Sequence, residues 1–126
     1  MPRAIFSQDA PQAIGPYSQA FESKGLVFCS GQVGIVPAQG KLIQGDAGVQ
    51  TQQVMENLGA VLRAADLSFA DVAKTTLYLV DMSDFAAVNA VYAQYFNETK
   101  PARATLAVSA LPLGARVEIE AIAVRP

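Results

Sequence analysis

The sequence has no histidine and no tryptophan, and it has a single cysteine. Without histidine, neither a Ser-His-Asp nor a Cys-His triad can form, and the usual zinc sites of His and Cys cannot be assembled. Cys29 has no partner for an intramolecular disulfide, and its apolar setting in LVFCSG is typical of a buried thiol. Any chemistry must therefore use carboxylates, arginine, lysine, hydroxyls or backbone groups.

Charge is also scarce. Charged residues make up 16% of the chain and apolar residues 52%, whereas about a quarter of a typical globular chain is charged. We therefore expect part of the apolar surface to meet another subunit. The net charge of -2 and the pI near 4.9 provide no basic surface for nucleic acid or anionic membranes.

The sequence has no targeting, membrane or cofactor signal. No stretch approaches the roughly 18 apolar residues that span a bilayer, and MPRAIFSQDAPQ lacks the apolar core of a signal peptide. The stretches GKLIQGDAG and SGQVG match neither a P-loop nor a dinucleotide fingerprint. We expect a cytoplasmic protein with one domain over residues 1–126, no cofactor and no metal.

Hydrophobic periodicity predicts an α+β fold with one mixed sheet and two helices on a single face. The first helix is expected from about Gly48 to Ala65, and Ser83 is the predicted N-cap of the second. Strands are expected in five segments: GPYSQA, GLVFCSGQVGI, KTTLYLVD, ATLAVSAL and RVEIEAIAV.

The last strand predicts two different sheet faces. Side chains alternate along a strand, so Val117, Ile119, Ala121 and Ala123 point one way, and the residues between them point the other way. A face that mixes apolar residues with two carboxylates is a poor solvent surface. We therefore expect it to contact a partner subunit.

Arg103, in PARAT, opens one C-terminal strand, and Glu118 and Glu120 lie in the next. If the strands are close, the three side chains can reach a common cleft, where the guanidinium binds a carboxylate and a glutamate orients water. An internal Arg-Glu salt bridge is the commoner arrangement.

Other candidates each have a simpler explanation. Tyr17 follows a Gly-Pro turn and can face a pocket or merely pack. Ser30 and Gly31 interrupt an apolar strand, where glycine permits close approach of a ligand or marks a bulge. Asn89 is a polar residue in the second helix, and its amide needs a partner, which a local bond can supply.

Four motifs together resemble the RidA family, also called YjgF/YER057c/UK114. They are IGPYSQA, SGQV, DFAAVNAVYAQYF and PARAT…LPLGARVEIEAIAV, in order along nearly the whole chain. The resemblance implies a homotrimer of chorismate-mutase-like subunits with sites in the clefts between neighbours. It also implies hydrolysis of 2-enamine and 2-imine acids, such as 2-aminoacrylate and 2-iminobutyrate, to 2-keto acids and ammonia, which protects pyridoxal-phosphate enzymes.

Residue by residue, the resemblance makes Arg103 the anchor of the substrate carboxylate and Glu118 the residue that positions water. It places Tyr17, Ser30, Gly31, Asn89 and Thr105 around the cleft, with Gly31 and Thr105 acting largely through their backbone. Many relatives have cysteine at the position of Thr105, and polar residues are frequent at those of Ala107 and Leu113.

Two other functions are compatible with the same family. One is a trimer that binds 2-keto acids as a sensor without turning them over. The other is the ribonuclease or translation-inhibitor activity ascribed to some relatives, which the acidic pI and the lack of histidine disfavour.

Overall fold

The computed structural model describes residues 2–126 and places ten helices and strands in chain order. They are β1 (Arg3–Ile5), β2 (Ala20–Ser23), β3 (Leu26–Gln32), β4 (Ile35–Val36), β5 (Lys41–Leu42), α1 (Ala47–Ala64), β6 (Val72–Leu79), α2 (Phe85–Ala93), β7 (Ala102–Ala107) and β8 (Val117–Val124). The predicted α+β class, with one main sheet and two helices, is confirmed.

The main sheet has six strands in the order β1-β2-β3-β8-β6-β7, and β4 pairs with β5 in a separate ribbon. Neighbouring strands of the main sheet are antiparallel except β6 and β7, which are parallel. Although β7 and β8 follow one another in the chain, β6 lies between them. The edge strand β7 is therefore two strand spacings from β8, or about 10 Å.

The two faces of the sheet differ as the last strand predicts. Val117, Ile119 and Ala123 of β8 have no exposed surface and pack in the core beneath the helices. On the other face Glu118 is half-buried, Glu120 is exposed, and Val124 keeps 42% of its surface. We call this second face the open face.

Local signals explain the ends of α1. The Asp46 side chain accepts a hydrogen bond from the Val49 N–H at 3.0 Å and caps the first turn. At the other end, Asp66 adopts a left-handed conformation (φ 60°), and the Leu67 N–H donates to the Leu62 carbonyl at 2.9 Å. The observed helix agrees with the predicted one within one residue at each end.

Two local predictions are wrong. Ser83 does not cap α2, because Asp81 accepts from the Ser83 N–H at 2.9 Å and starts a short 3-10 turn before the helix. In GPYSQA only Ala20 lies in a strand. The buried Gln19 amide bonds with the backbone of Ser7 and Pro11, so the segment is held by a side chain rather than by a ladder. Within residues 2–126, no helix has the length and apolarity needed to cross a bilayer.

Candidate active site

Arg103 is held on the helix-covered face of the sheet. Its Nη1 donates to Asn89 Oδ1 at 2.7 Å. The guanidinium carbon lies 5.4 Å from the ring centroid of Phe85 and 5.1 Å from that of Tyr92. The Tyr92 hydroxyl in turn hydrogen-bonds the Thr75 hydroxyl at 2.7 Å. The cation is therefore oriented by one polar contact and two aromatic faces.

These contacts come from one face of α2. Phe85 and Tyr92 lie four residues before and three residues after Asn89, so all three share a helix face. Of these three residues, only Asn89 was a candidate site residue from sequence, and the two aromatic residues that flank it were missed. Their helical spacing around a polar residue was the signal that could have identified them.

Arg103 has no carboxylate partner among residues 2–126. The ion pairs in this part of the chain join Arg3 and Arg125 to Glu22, and Arg116 to Asp84. The internal Arg-Glu salt bridge, which spacing alone made the commoner arrangement, is therefore wrong for Arg103. Only one of the five guanidinium N–H groups is used by Asn89, so others remain for a ligand.

A cavity of 340 Å³ lies beside the guanidinium, and we call it the arginine cavity. It is lined by Asn89, Tyr92, Ala93, Phe96, Lys100, Pro101 and Arg103. Both charged residues in this lining are cations, and the rest is mainly apolar. Such a cavity favours a small anion that also has some hydrocarbon.

Glu118 lies on the open face, where its Cα pairs with that of Tyr78 on β6. Burial raises the pKa of the Glu118 carboxyl, and the nearby Glu120 carboxylate raises it further. Burial, followed by the charges of Glu120 and Glu118, also raises the pKa of Tyr78. A carboxyl that keeps its proton more readily than usual is better suited to accept a proton and to return it.

Gly31 makes the position of Glu118 possible. A Cβ at residue 31 would lie 2.9 Å from Glu118 Cδ and closer still to a carboxylate oxygen. The strand register also shifts between Cys29 and Gln32, as expected for a bulge. Glycine is therefore needed at residue 31 because another group lies very close to its backbone. Within this chain that group is the Glu118 side chain rather than a ligand.

A second cavity, of 420 Å³, contains Glu118, and we call it the glutamate cavity. Tyr17, Gly31, Gln32, Leu113 and Glu118 are among its lining residues. Tyr17 is 54% exposed and lies outside any strand, so it is not the packed strand residue that the simpler explanation assumed. Leu113 adopts a left-handed conformation (φ 59°) at the rim.

Ser30 and Thr105 are not among the residues that line these two cavities. The Ser30 hydroxyl donates to the Ser18 carbonyl at 2.6 Å and its N–H donates to the Gln19 carbonyl, which ties down the segment after Tyr17. Thr105 lies on the same face of β7 as Arg103. Its Oγ1 is the only buried side-chain N or O atom without a hydrogen-bond partner in residues 2–126.

Burial makes the Cys29 thiol unreactive. Desolvation raises the pKa of Cys29 to about 11, so the thiol stays protonated at neutral pH, as a buried structural cysteine does. In the part of the chain from residue 2 to residue 126, no three His, Cys, Asp or Glu side chains are grouped so as to hold a metal ion.

The structure separates the predicted site into two halves. Arg103 and Asn89 are together on the helix-covered face, whereas Glu118, Tyr17 and Gly31 are together on the open face. A common cleft for Arg103 and Glu118 within one chain is therefore wrong. The strand β6 separates them, and their side chains leave opposite faces of the sheet.

Comparison with known proteins assigns this arrangement to a family. A family model described as endoribonuclease L-PSP matches residues 7–125. The chain is 51% identical to a RutC family protein of Pyrococcus horikoshii, covering 98% of each chain. It is 49% identical to the 2-iminobutanoate/2-iminopropanoate deaminase of Mus musculus, covering 98% of this chain and 91% of the mouse protein.

A solved structure agrees with the fold as well. The crystal structure of TdcF from E. coli with bound serine superposes with a TM-score of 0.94 at 42% identity, covering 98% of this chain and 99% of that one. The chain belongs to the endoribonuclease L-PSP family, which is the RidA/YjgF family that its four motifs resemble.

Proposed function

We propose that this protein hydrolyses 2-imino and 2-enamine acids, such as 2-iminobutyrate and 2-aminoacrylate, to 2-keto acids and ammonia. The observation that carries the proposal is Arg103, which is oriented by Asn89 and two aromatic rings, faces a cavity and has no carboxylate partner in residues 2–126. The deaminase name of the mouse relative, at 49% identity, supports the same reaction.

Arg103 anchors the substrate carboxylate in this mechanism. A guanidinium matches both oxygens of a carboxylate with parallel charge-assisted hydrogen bonds, and the aromatic faces of Phe85 and Tyr92 restrict its orientation. The fixed carboxylate places the adjacent imine carbon at a defined distance from the protein. Binding and orientation are thus supplied by a single side chain.

Glu118 positions the attacking water and accepts its proton. Its carboxylate accepts a proton as the water oxygen bonds to the imine carbon, which gives a carbinolamine. The same group returns the proton to nitrogen. As the C–N bond breaks, the hydroxyl proton of the carbinolamine passes through the carboxylate to the departing ammonia, so one protonated imine and one water become one ketone and one ammonium ion. The raised pKa of Glu118 suits both transfers. No metal or cofactor is required, because a protonated imine is already electrophilic.

The two halves meet only between copies of the chain. Arg103 and Glu118 lie on opposite faces of one sheet, so a complete site needs the arginine of one subunit and the glutamate of another. The open face carries exposed apolar residues suited to such an interface: Phe21, Leu26, Phe28 and Val124. We propose a homotrimer with three such sites, as the family resemblance implies.

Ligand binding without turnover is the second candidate. It is supported by the TdcF structure, whose bound serine is also a small carboxylate. An anchored arginine serves a sensor as well as an enzyme, so only a measurement of turnover separates the two.

The test is a coupled assay. Threonine dehydratase with threonine generates 2-iminobutyrate, and 2-ketobutyrate is followed with lactate dehydrogenase and NADH while imine hydrolysis limits the rate. The wild type should accelerate ketone formation, whereas Arg103→Ala should lose roughly 100-fold or more, because the substrate carboxylate then has no cation to hold it in place. Arg63→Ala removes an exposed arginine of α1 and is the matched control.

Three outcomes are informative. Acceleration by the wild type and Arg63→Ala but not by Arg103→Ala supports the deaminase and its anchor. Full activity of Arg103→Ala contradicts the anchor. No acceleration by any variant, with the oligomer intact and 2-ketobutyrate still bound, contradicts the deaminase and leaves the sensor.

A further inference from the structure

The arginine cavity contains a second cation. Lys100 lines it together with Arg103, and the loop between α2 and β7 supplies this lysine. Among residues 2–126, the only hydrogen bond of its Nζ is a long one, 3.5 Å, to the Asn97 carbonyl, and it forms no ion pair with any carboxylate there. The Lys100 ammonium is therefore available to bind a ligand.

The arginine cavity is positively charged, whereas the chain as a whole has a negative net charge. The protein carries a net charge of -2, yet both charged residues that line the cavity are positive, and no carboxylate of residues 2–126 lines it. Two like charges at one cavity repel each other, and an anion bound between them relieves that repulsion. An anion with two negative groups relieves it more than an anion with one.

The surface between the two cations is apolar. Tyr92, Ala93, Phe96 and Pro101 complete the lining beside Asn89. Tyr92 and Phe96 are almost fully buried, and their rings pack with centroids 4.8 Å apart. This surface suits methylene groups, and the cations suit the ends of the ligand.

The chain also permits both cations to reach one small ligand. Lys100 precedes Arg103 by three residues, which separates their Cα atoms by at most about 10 Å in an extended chain. Arg103 is fixed by Asn89 and the aromatic rings, whereas the lysine has four flexible methylenes. Its ammonium can therefore adjust to the position of a second carboxylate.

We propose that the arginine cavity accepts dicarboxylic 2-imino acids, with the carboxylate next to the imine on Arg103 and the distal carboxylate on Lys100. This inference rests on the proposed deaminase function and names its substrate class. The chemical step is unchanged, since water still replaces nitrogen at the imine carbon and ammonia leaves. Lys100 is a specificity residue that does not touch the reacting atoms.

The test compares two substrates in one set of variants. An amino acid oxidase with catalase generates 2-iminoglutarate from glutamate, and threonine dehydratase generates 2-iminobutyrate. Lys100→Met keeps most of the length of the side chain and removes its charge. Lys41→Met removes an exposed lysine of β5 that does not line the cavity, and it is the matched control.

Lys100→Met should lower kcat/KM for 2-iminoglutarate about fivefold, the upper range for a solvent-exposed ion pair, and should change that for 2-iminobutyrate less than twofold. Lys100→Glu should lower the dicarboxylate value further, and Lys41→Met should change neither. An equal loss for both substrates, or no loss for either, overturns the inference.

Calorimetry separates this inference from the proposed function. Binding of 2-oxoglutarate and 2-oxobutanoate needs no turnover, so Lys100→Met should weaken only the former even if the chain proves to be a sensor. If the wild type hydrolyses 2-iminobutyrate but Lys100→Met binds both keto acids as the wild type does, the deaminase stands and the inference fails.

Discussion

The two faces of the sheet hold their functional side chains in different ways. On the helix-covered face, Arg103 donates a hydrogen bond to Asn89 and has two aromatic neighbours, so its position is set within one subunit. On the open face, Glu118 receives no hydrogen bond from residues 2–126 and packs against the backbone of Gly31. The first face orients a charge, and the second keeps a carboxyl poorly solvated.

This difference assigns the two faces different tasks. A binding group should keep its charge at every pH the protein meets, which an arginine does. A proton carrier should change its charge easily, which the raised pKa of Glu118 favours. Under the proposed function, each subunit supplies one of the two components to a site, and assembly of the oligomer brings the two together.

The largest effect is expected from Glu118→Gln. The amide keeps the shape of the side chain but cannot take a proton, so kcat should fall roughly 100-fold, the usual range for a general base. Binding of 2-ketobutyrate should stay within a few-fold of the wild type, because Arg103 is untouched. Steady-state kinetics and calorimetry measure the two quantities. Loss of binding with unchanged kcat would reverse the tasks of the two faces.

The pH profile sharpens the same comparison. The carboxylate form of Glu118 is the base, so the rate should fall as pH decreases through its raised pKa. Glu120→Gln removes the neighbouring negative charge and should therefore lower that pKa, which moves the acid limb of kcat to lower pH. Arg103→Lys, on the other face, should leave the limb in place. An acid limb that Glu120→Gln does not move would show that another group controls the rate.

The smallest effect is expected at Thr105. Its buried Oγ1 has no hydrogen-bond partner in the described part of the chain, residues 2–126, so replacing the hydroxyl by a methyl in Thr105→Val should raise the free energy of unfolding by about 1 kcal/mol. Turnover should stay within twofold if this residue acts through its backbone. Thr105→Ser, which keeps the hydroxyl, is the control, and urea unfolding with kinetics provides the measurement. A large loss of turnover in Thr105→Val alone would show that the hydroxyl serves the site.

The sequence predicted what depends on local periodicity. The bounds of α1 followed from its apolar spacing, and alternation along β8 correctly separated Ile119 from Glu118. Both patterns depend only on residues that are close together in the sequence. The observed burial of α1 and β8 follows the same patterns.

What the sequence could not provide was the order of the strands. Nothing between Ala107 and Val117 shows that β6, from much earlier in the chain, lies between β7 and β8, because that pairing is parallel on one side and long-range on both. Without this order, Arg103 and Glu118 could not be assigned to separate faces. Tyr92, which orients the Arg103 side chain, was missed for a related reason. In the sequence it cannot be distinguished from an ordinary core residue.

The most direct test of a site divided between subunits is complementation. Arg103→Ala and Glu118→Gln chains are each expected to be nearly inactive, and they are mixed by co-expression or refolding before the coupled assay. In a random cyclic trimer, about one quarter of the sites would pair an intact arginine with an intact glutamate, so about a quarter of the wild-type activity should return. If the mixed oligomers stay as inactive as the separate variants, Arg103 and Glu118 do not form a shared site, and the account is wrong.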